Sequence, residues 1–274
     1  MRAAVAYSAP VVAGRVRVSR IEVEQDGPVA RVWLNRPEVR NAFDGSMVTA
    51  LRKTVSDLGA LDRVRVIVLG GRGPGFCAGG DLTWMAAAIG FTREESLADA
   101  QALADLFFTV YRSRKPVVAR VHGAALGGGA GLVAACDIAV ASLDAEFAFT
   151  EVLLGLIPAV VSPYVVAKIG ESAARELFLT GERFDGTRAN EIGLVHAAVA
   201  SADLDAAVQD RVARLLRAGP RAIAEAKALV REVAGRRVED VQRHTVEKIA
   251  ELRVSAEGQE GMHAFLERRK PNWS

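Results

Sequence analysis

The chain has 274 residues, half of them apolar, enough to bury a sizeable core in one α/β domain with or without a helical appendage. Its 35 basic and 33 acidic residues leave a formal charge of +2, so no global field draws it to nucleic acid, and no interleaving of aromatic and basic residues offers bases a stacking surface. Cys77 and Cys136 have neither metal-ligand spacing nor the density of a disulfide scaffold, and four scattered histidines form no HExxH; together these predict a cytoplasmic protein with no metal.

The opening MRAAVAYSAPVVAGR holds one weak apolar run broken by Pro10 and reads as a flexible extension over residues 1–16 rather than an export signal. Over 18–34 two alternating runs, VSRIEVEQ and VARVWL, flank Asp26-Gly27 and predict a strand hairpin. In NRPEVRNAF, Pro37 excludes helix, and Asp44 or Ser46 then caps a helix running to about Leu58. A strand is expected over 65–69, an N-cap at Asp81, and a helix over 93–111 from the spacing of Leu97, Leu103, Leu106, Phe107 and Val110.

A strand over 117–121, a helix from Gly127 and a strand over 137–141 follow. Helices are then expected over 162–169, 171–179 and 187–192, with a last strand near Val195. Beyond Ser201 strands vanish and four amphipathic helices are predicted, over 204–216, 221–233, 238–252 and 256–269. The boundary therefore falls near 200, between a core over 17–200 and a helical region over 201–274 that can pack against a neighbour. The most apolar later run, 152–167, is broken by Pro158 and Pro163 and is too short to span a bilayer, so no membrane segment is expected.

Two glycine-rich stretches each follow an apolar strand: GGRGPGFCAGGDL over 70–82 and VHGAALGGGAG over 121–131. Bare backbone lets amides approach a bound group, and the first turn of a helix starting at Gly127 presents unpaired N–H groups that favour an anion. Two such loops can aim two amides at one oxygen, the geometry of an oxyanion hole. Glu151 interrupts the otherwise apolar AEFAFTEVLLGLIP; a carboxyl group there either reaches solvent, pairs with a base, or holds a raised pKa for proton transfer.

Two rival readings bear on the same residues. Gly73, Gly75 and Ala78 match the dinucleotide pattern GxGxxA, but Pro74 stiffens the turn, Gly79 and Gly80 delay the helix, and Asp81 sets a negative charge where a pyrophosphate would bind. No GxSxG elbow is present. A non-catalytic binding or scaffold protein is the reading if the two loops lie apart and Glu151 is solvated.

An ordered series of motifs resembles the enoyl-CoA hydratase/isomerase, or crotonase, superfamily: LNRPEVRNAF, RVIVLGGRGPGFCAGGDL, KPVVARVHGAALGGGAGLVAACDIAVAS, FAFTEVLLGLIP, LTGERFDGTRANEIGLVH and EGMHAFLERRKPNW. The resemblance implies an α/β spiral of repeated ββα turns with a C-terminal helical region that builds a homotrimer or a dimer of trimers. It implies an acyl-CoA thioester substrate, with coenzyme A part of that substrate and no separate cofactor. The two oxyanion amides then fall on Gly80 and Gly128. Contacts to substrate and coenzyme fall on the backbone of Arg40 and Ala42, on Ala78, Gly79, Asp81 and Leu82, on Leu126, Gly127, Gly131 and Pro158, and in the tail on Phe265 and Lys270.

Hydratases of this family carry two glutamates; the second position is Glu151, but the first is Gly131. One carboxylate suffices for a proton shuttle, which is isomerisation. The segment GLIPAVVSPYV instead resembles the branch that hydrates methylglutaconyl-CoA and related branched acyl-CoAs. The expectation is a hydratase-type lyase with Glu151 handling the α-proton and the group that activates water unassigned; isomerase is the alternative.

Overall fold

The alternating runs close into a hairpin: β2 (Ile21–Asp26) and β3 (Val29–Leu34) pair antiparallel, with Asp26 opposite Val29 across Gly27 at φ 53°. Glycine takes that positive φ without steric cost. The computed structural model describes residues 15–18 and 20–273. It adds β1 (Arg15–Val18), which pairs antiparallel with β2, so Val18 belongs to a third strand rather than to the hairpin. Arg15 and Val16 thus leave the expected extension, whose remainder lies outside the described residues.

Along the chain follow β4 (Val66–Gly71), β5 (Val117–Val121), β6 (Ala124–Leu126), β7 (Ile138–Ser142), β8 (Glu146–Ala148), β9 (Arg183–Asp185) and β10 (Ala197–Val199). One sheet has the order β1-β2-β3-β4-β5-β7-β10 and is parallel from β3 onward; β6, β8 and β9 form a second, small sheet. All six residues of β4 are buried, as a strand covered on both faces requires. The last strand begins at Ala197, not at Val195. Val195 is buried in the turn before it, its amide donating to Ala189 O (3.2 Å).

The helices are α1 (Gly45–Ala60), α2 (Leu82–Ala88), α3 (Arg93–Arg112), α4 (Gly128–Ala135), α5 (Ser162–Thr180), α6 (Gly186–Glu191), α7 (Leu204–Leu216), α8 (Pro220–Val233), α9 (Val238–Val254) and α10 (Ala256–Leu266). Asp44 caps α1 and Asp81 caps α2, each side chain accepting first-turn amides. Within α5, Gly170 at φ 73° and ψ 170° separates the two helices expected from sequence.

The main core lies between the sheet and α1, α3, α4 and α5. A second cluster covers the other face, where Leu204, Val208 and Val212 of α7 pack on Val66, Val68, Val118 and Val140. Beyond the expected division near 200 the chain is helical, and the first of its long helices, α7, closes the outer face of the sheet with its apolar stripe. Further on, α8 is tied back by Lys227, whose Nζ lies 2.7 Å from Asp137 Oδ2. Helices α9 and α10 pack on α8 and on each other.

Candidate active site

Since β4 and β5 are parallel neighbours, the loops that follow them leave the same end of the sheet. There they are stitched together. The Phe76 amide donates to His122 O (2.8 Å), Cys77 to Ala124 O (2.8 Å) and Leu126 to Cys77 O (2.9 Å). The NRPEVRNAF stretch lies along the other side of the first loop: Ala78 donates to Arg40 O (3.0 Å), Phe43 to Gly79 O (2.7 Å) and Asp81 to Phe43 O (2.8 Å). The Gly127 amide is engaged by Ala148 O (2.8 Å).

This network leaves several amides of the two loops over, those of Gly80 and Gly128 among them. Among the described residues, neither the Gly80 nor the Gly128 N–H donates to a backbone carbonyl, and Gly128 opens α4, where the helix dipole adds partial positive charge. The loops carrying them touch. A Cβ on Gly79 would stand 2.9 Å from Leu126 O and 4.0 Å from Gly127 Cα. Phe43 bridges them, since it pairs with Gly80 and its ring lies 3.3 Å from where a Cβ on Gly128 would stand. Gly129 permits the closest approach, for a Cβ there would meet Cys77 O at 2.2 Å.

Glu151 sits in a 3-10 turn (Thr150–Leu154) that Gly155 closes in the left-handed conformation. The Leu156 amide donates to Glu151 O (3.0 Å), fixing the backbone so that the side chain is half-buried against the second loop. Its Oε1 lies 3.2 Å from the position of a Cβ on Gly127, one residue before the Gly128 amide. Its Oε2 is buried and accepts no hydrogen bond from any described residue. Burial pushes the carboxyl pKa above its ordinary value, against a smaller opposing effect of its own amide.

The other carboxylates near the motifs are committed elsewhere. Asp81 accepts from the Thr83 amide (2.8 Å), the Trp84 amide (3.3 Å) and Arg36 Nη2 (2.9 Å). Burial raises its pKa, but these donors together hold it below the ordinary value. Asp137 stands beyond the far end of α4, where burial raises its pKa against Lys227. Glu146 pairs with Arg183. His122 is held at the base of the loops by Gly73 O (2.9 Å) and Arg120 Nη1 (3.1 Å).

Cys77 is a filler. It is fully buried, and burial pushes its thiol up to about 12, outweighing a hydrogen bond from the Gly79 amide. Native protein treated with iodoacetamide at pH 8 is therefore expected to keep Cys77 unmodified, whereas unfolded protein is alkylated there, as peptide mass mapping will read.

The remaining expected contact residues divide. Arg40 adopts a left-handed φ of 51°, Ala42 is buried, and the carbonyl of Ala42 accepts Arg36 Nη1 (2.8 Å). Ala78 and Leu126 are half-buried, Pro158 is buried, and Leu82 is exposed on α2. Gly131 is buried under Val161. Phe265 and Lys270 are exposed in the tail, and no hydrogen bond or ion pair among the described residues joins either to the loops.

Sequence reasoning missed Asn41. Fully buried, it donates through Nδ2 to Arg72 O and Gly75 O (both 2.8 Å) and accepts the Arg36 amide (2.8 Å), stapling NRPEVRNAF to the first glycine loop. The available signal was an amide side chain between a left-handed turn and an apolar residue, a setting in which Asn bonds backbone. The apolar neighbours of Gly128 were missed as well: Phe43 packs edge-on against Phe107, and Phe107 against Tyr164.

The chain belongs to the enoyl-CoA hydratase/isomerase family, whose model matches residues 24–274. A crystal structure of an enoyl-CoA hydratase from Shewanella pealeana superposes with a TM-score of 0.90 at 40% identity, covering 93% of this chain and 96% of that one. The enoyl-CoA hydratase ACTT6 of Alternaria alternata is 37% identical over 216 residues, 77% of this chain and 69% of the relative. A peroxisomal Delta(3,5)-Delta(2,4)-dienoyl-CoA isomerase of Arabidopsis thaliana is 30% identical over 268 residues, 93% of this chain and 95% of the relative. The fold is that of the crotonase structures, and the relatives include both hydratases and isomerases.

Proposed function

We propose that the protein hydrates a 2-enoyl-CoA thioester, with the Gly80 and Gly128 amides as its oxyanion hole and Glu151 as its acid and base. The observation that carries this reading is the position of Glu151: its carboxyl rests on Gly127, beside a free helix-start amide, with one oxygen buried and unpartnered. The thioester carbonyl accepts both N–H groups, and each donor contributes about 2.7–4 kcal/mol as negative charge develops on that oxygen. Ionised Glu151 takes a proton from water while the hydroxide adds to the β-carbon. The neutral carboxyl then returns that proton to the α-carbon of the enolate, so one carboxylate serves both ends of the addition.

A second reading is favoured by Val161, which covers Gly131 and so leaves that end of α4 without a carboxylate. The same Glu151 then moves a proton between two carbons of the substrate, which is isomerisation. The acyl group is proposed to be branched, on the resemblance of GLIPAVVSPYV, and the assembly to be a trimer or a dimer of trimers. Exposed Leu153, Leu154 and Ile157 beside Glu151, and Ile249 and Phe265 in the tail, support an assembly that covers them. Contact of Phe265 and Lys270 with the coenzyme is then proposed to cross a subunit boundary.

Mass spectrometry of a panel of linear and branched enoyl-CoAs, incubated with the enzyme in heavy-oxygen water and in deuterium oxide, separates these readings. Oxygen uptake at the β-carbon with deuterium at the α-carbon is expected. Deuterium without oxygen would establish isomerisation instead, and no turnover with no heat of thioester binding would leave a scaffold. In either chemistry the ionised carboxylate begins the reaction, so kcat/KM is expected to fall as pH drops through the raised Glu151 midpoint. The acid limb of the pH profile then lies above the range of an exposed glutamate; a limb within that range would mean a solvated side chain.

A further inference from the structure

A carboxyl group keeps a high proton affinity only where its surroundings hold water away. Gly127, against which Glu151 rests, accepts a hydrogen bond from the Gly131 amide (3.0 Å), so these two glycines stand one helical turn apart at the start of α4. Val161 lies on the second of them. A Cβ on Gly131 would fall 2.1 Å from Val161 Cγ1 and 2.6 Å from Val161 Cβ. Val161 is itself buried, and its carbonyl accepts the Tyr164 and Val165 amides (both 3.1 Å), which fixes it to the first turn of α5. In turn α5 packs on the 150–154 turn that carries Glu151. Glu151 and Val161 thus flank one short length of bare α4 backbone, one over each end.

Charged neighbours do not explain the environment of this carboxyl. Helix α4 carries no titratable side chain. On α5, Tyr164 packs against Phe107 and Tyr111, Lys168 reaches Val133 O (3.4 Å) near the far end of α4, and Glu171, Arg175 and Glu176 lie beyond the break at Gly170. From the small sheet, Glu146 pairs with Arg183. None of these groups is among the causes acting on Glu151, which are burial and its own amide.

We propose that Val161 is a positioning residue for Glu151, seated on the bare backbone of Gly131 to keep water from the α4 side of the carboxyl group. The proposal rests on Glu151 being the acid and base of the reaction, as read above. It follows that positions 131 and 161 exclude one another: a side chain at 131 needs the volume that Val161 fills. A carboxylate opened to water becomes a weaker base, and proton transfer from water or from carbon slows accordingly.

Three variants test this. Val161→Thr keeps the shape and sets a hydroxyl over Gly131, one helical turn from Gly127 where the carboxyl rests, Val161→Ala opens the space, and Val161→Ile keeps it apolar. Titration of protein labelled with carbon-13 at the glutamate carboxyls, with Glu151→Gln assigning the resonance, reads the Glu151 midpoint without any turnover. The midpoint is expected to fall by about one pH unit in the threonine and alanine variants and to hold in the isoleucine variant. The acid limb of kcat/KM is expected to move with it. Thermal melts show that each variant is folded, and threonine, having the shape of valine, keeps the proposal testable if alanine does not fold. An unchanged midpoint in the threonine variant overturns the proposal, whatever the activity does. If Glu151→Gln turns over normally, the acid/base reading fails while the midpoint shift is still read, so the two failures are told apart.

Discussion

Replacing Glu151 by glutamine will lower turnover at least about a hundredfold and leave thioester binding nearly unchanged. The amide fits the same space beside Gly127 but can neither take a proton nor return one. The two backbone amides that hold the thioester oxygen belong to Gly80 and Gly128 in this reading and are untouched by the change. Steady-state kinetics with the substrate found in the isotope screen gives kcat, and calorimetry with a saturated acyl-CoA gives binding. A variant with undiminished kcat would remove Glu151 from the chemistry. Loss of binding in parallel with kcat would mean that the residue holds the loop instead.

Gly129→Ala will damage both stability and catalysis. The new methyl would lie 2.2 Å from Cys77 O and 3.0 Å from Cys77 Cβ. The carbonyl is main chain, already accepting the Leu126 amide, and cannot swing away as the tip of a side chain could. Helix α4 and the first loop must therefore part, at a cost of about 1–3 kcal/mol for overpacking a close contact. The same displacement separates the Gly80 and Gly128 amides, and a misplacement of about 1 Å in a site can cost about a hundredfold in rate. Gly45→Ala is the control: nothing lies within 4 Å of the added methyl, at the start of α1. Denaturant melts and kcat/KM should both fall in the first variant and hold in the second. A Gly129→Ala protein with wild-type stability and rate would mean that the loops are not packed as described.

Much of the architecture is legible along the chain because its signals are local. The Asp26-Gly27 turn between alternating runs, the caps at Asp44 and Asp81, and the apolar spacing over 93–111 each place an element by chemistry within a few residues of it. Elements whose stability comes from partners are not legible in this way. Strands β6, β8 and β9 have three residues each, the first of them inside a glycine-rich motif; only pairing makes them strands. The packing of α7 on the sheet is likewise not legible, because its apolar stripe has the same periodicity as those of the later helices and only its contact with the sheet distinguishes it.

The candidate site divides along the same line. The amino-acid sequence by itself determined that two strands end in bare glycine loops, that a carboxyl group stands among apolar residues at 151, and that position 131 has no side chain. It does so because glycine, proline and a lone acidic residue restrict the chain wherever they occur. Only the tertiary structure decided that the loops touch through Gly79 and Gly129, that Asp81, Asp137 and Glu146 are held by other partners, and that Val161 fills the space over Gly131. Those facts depend on close packing between segments far apart in the chain, and packing at a few ångströms has no signature in the order of residues.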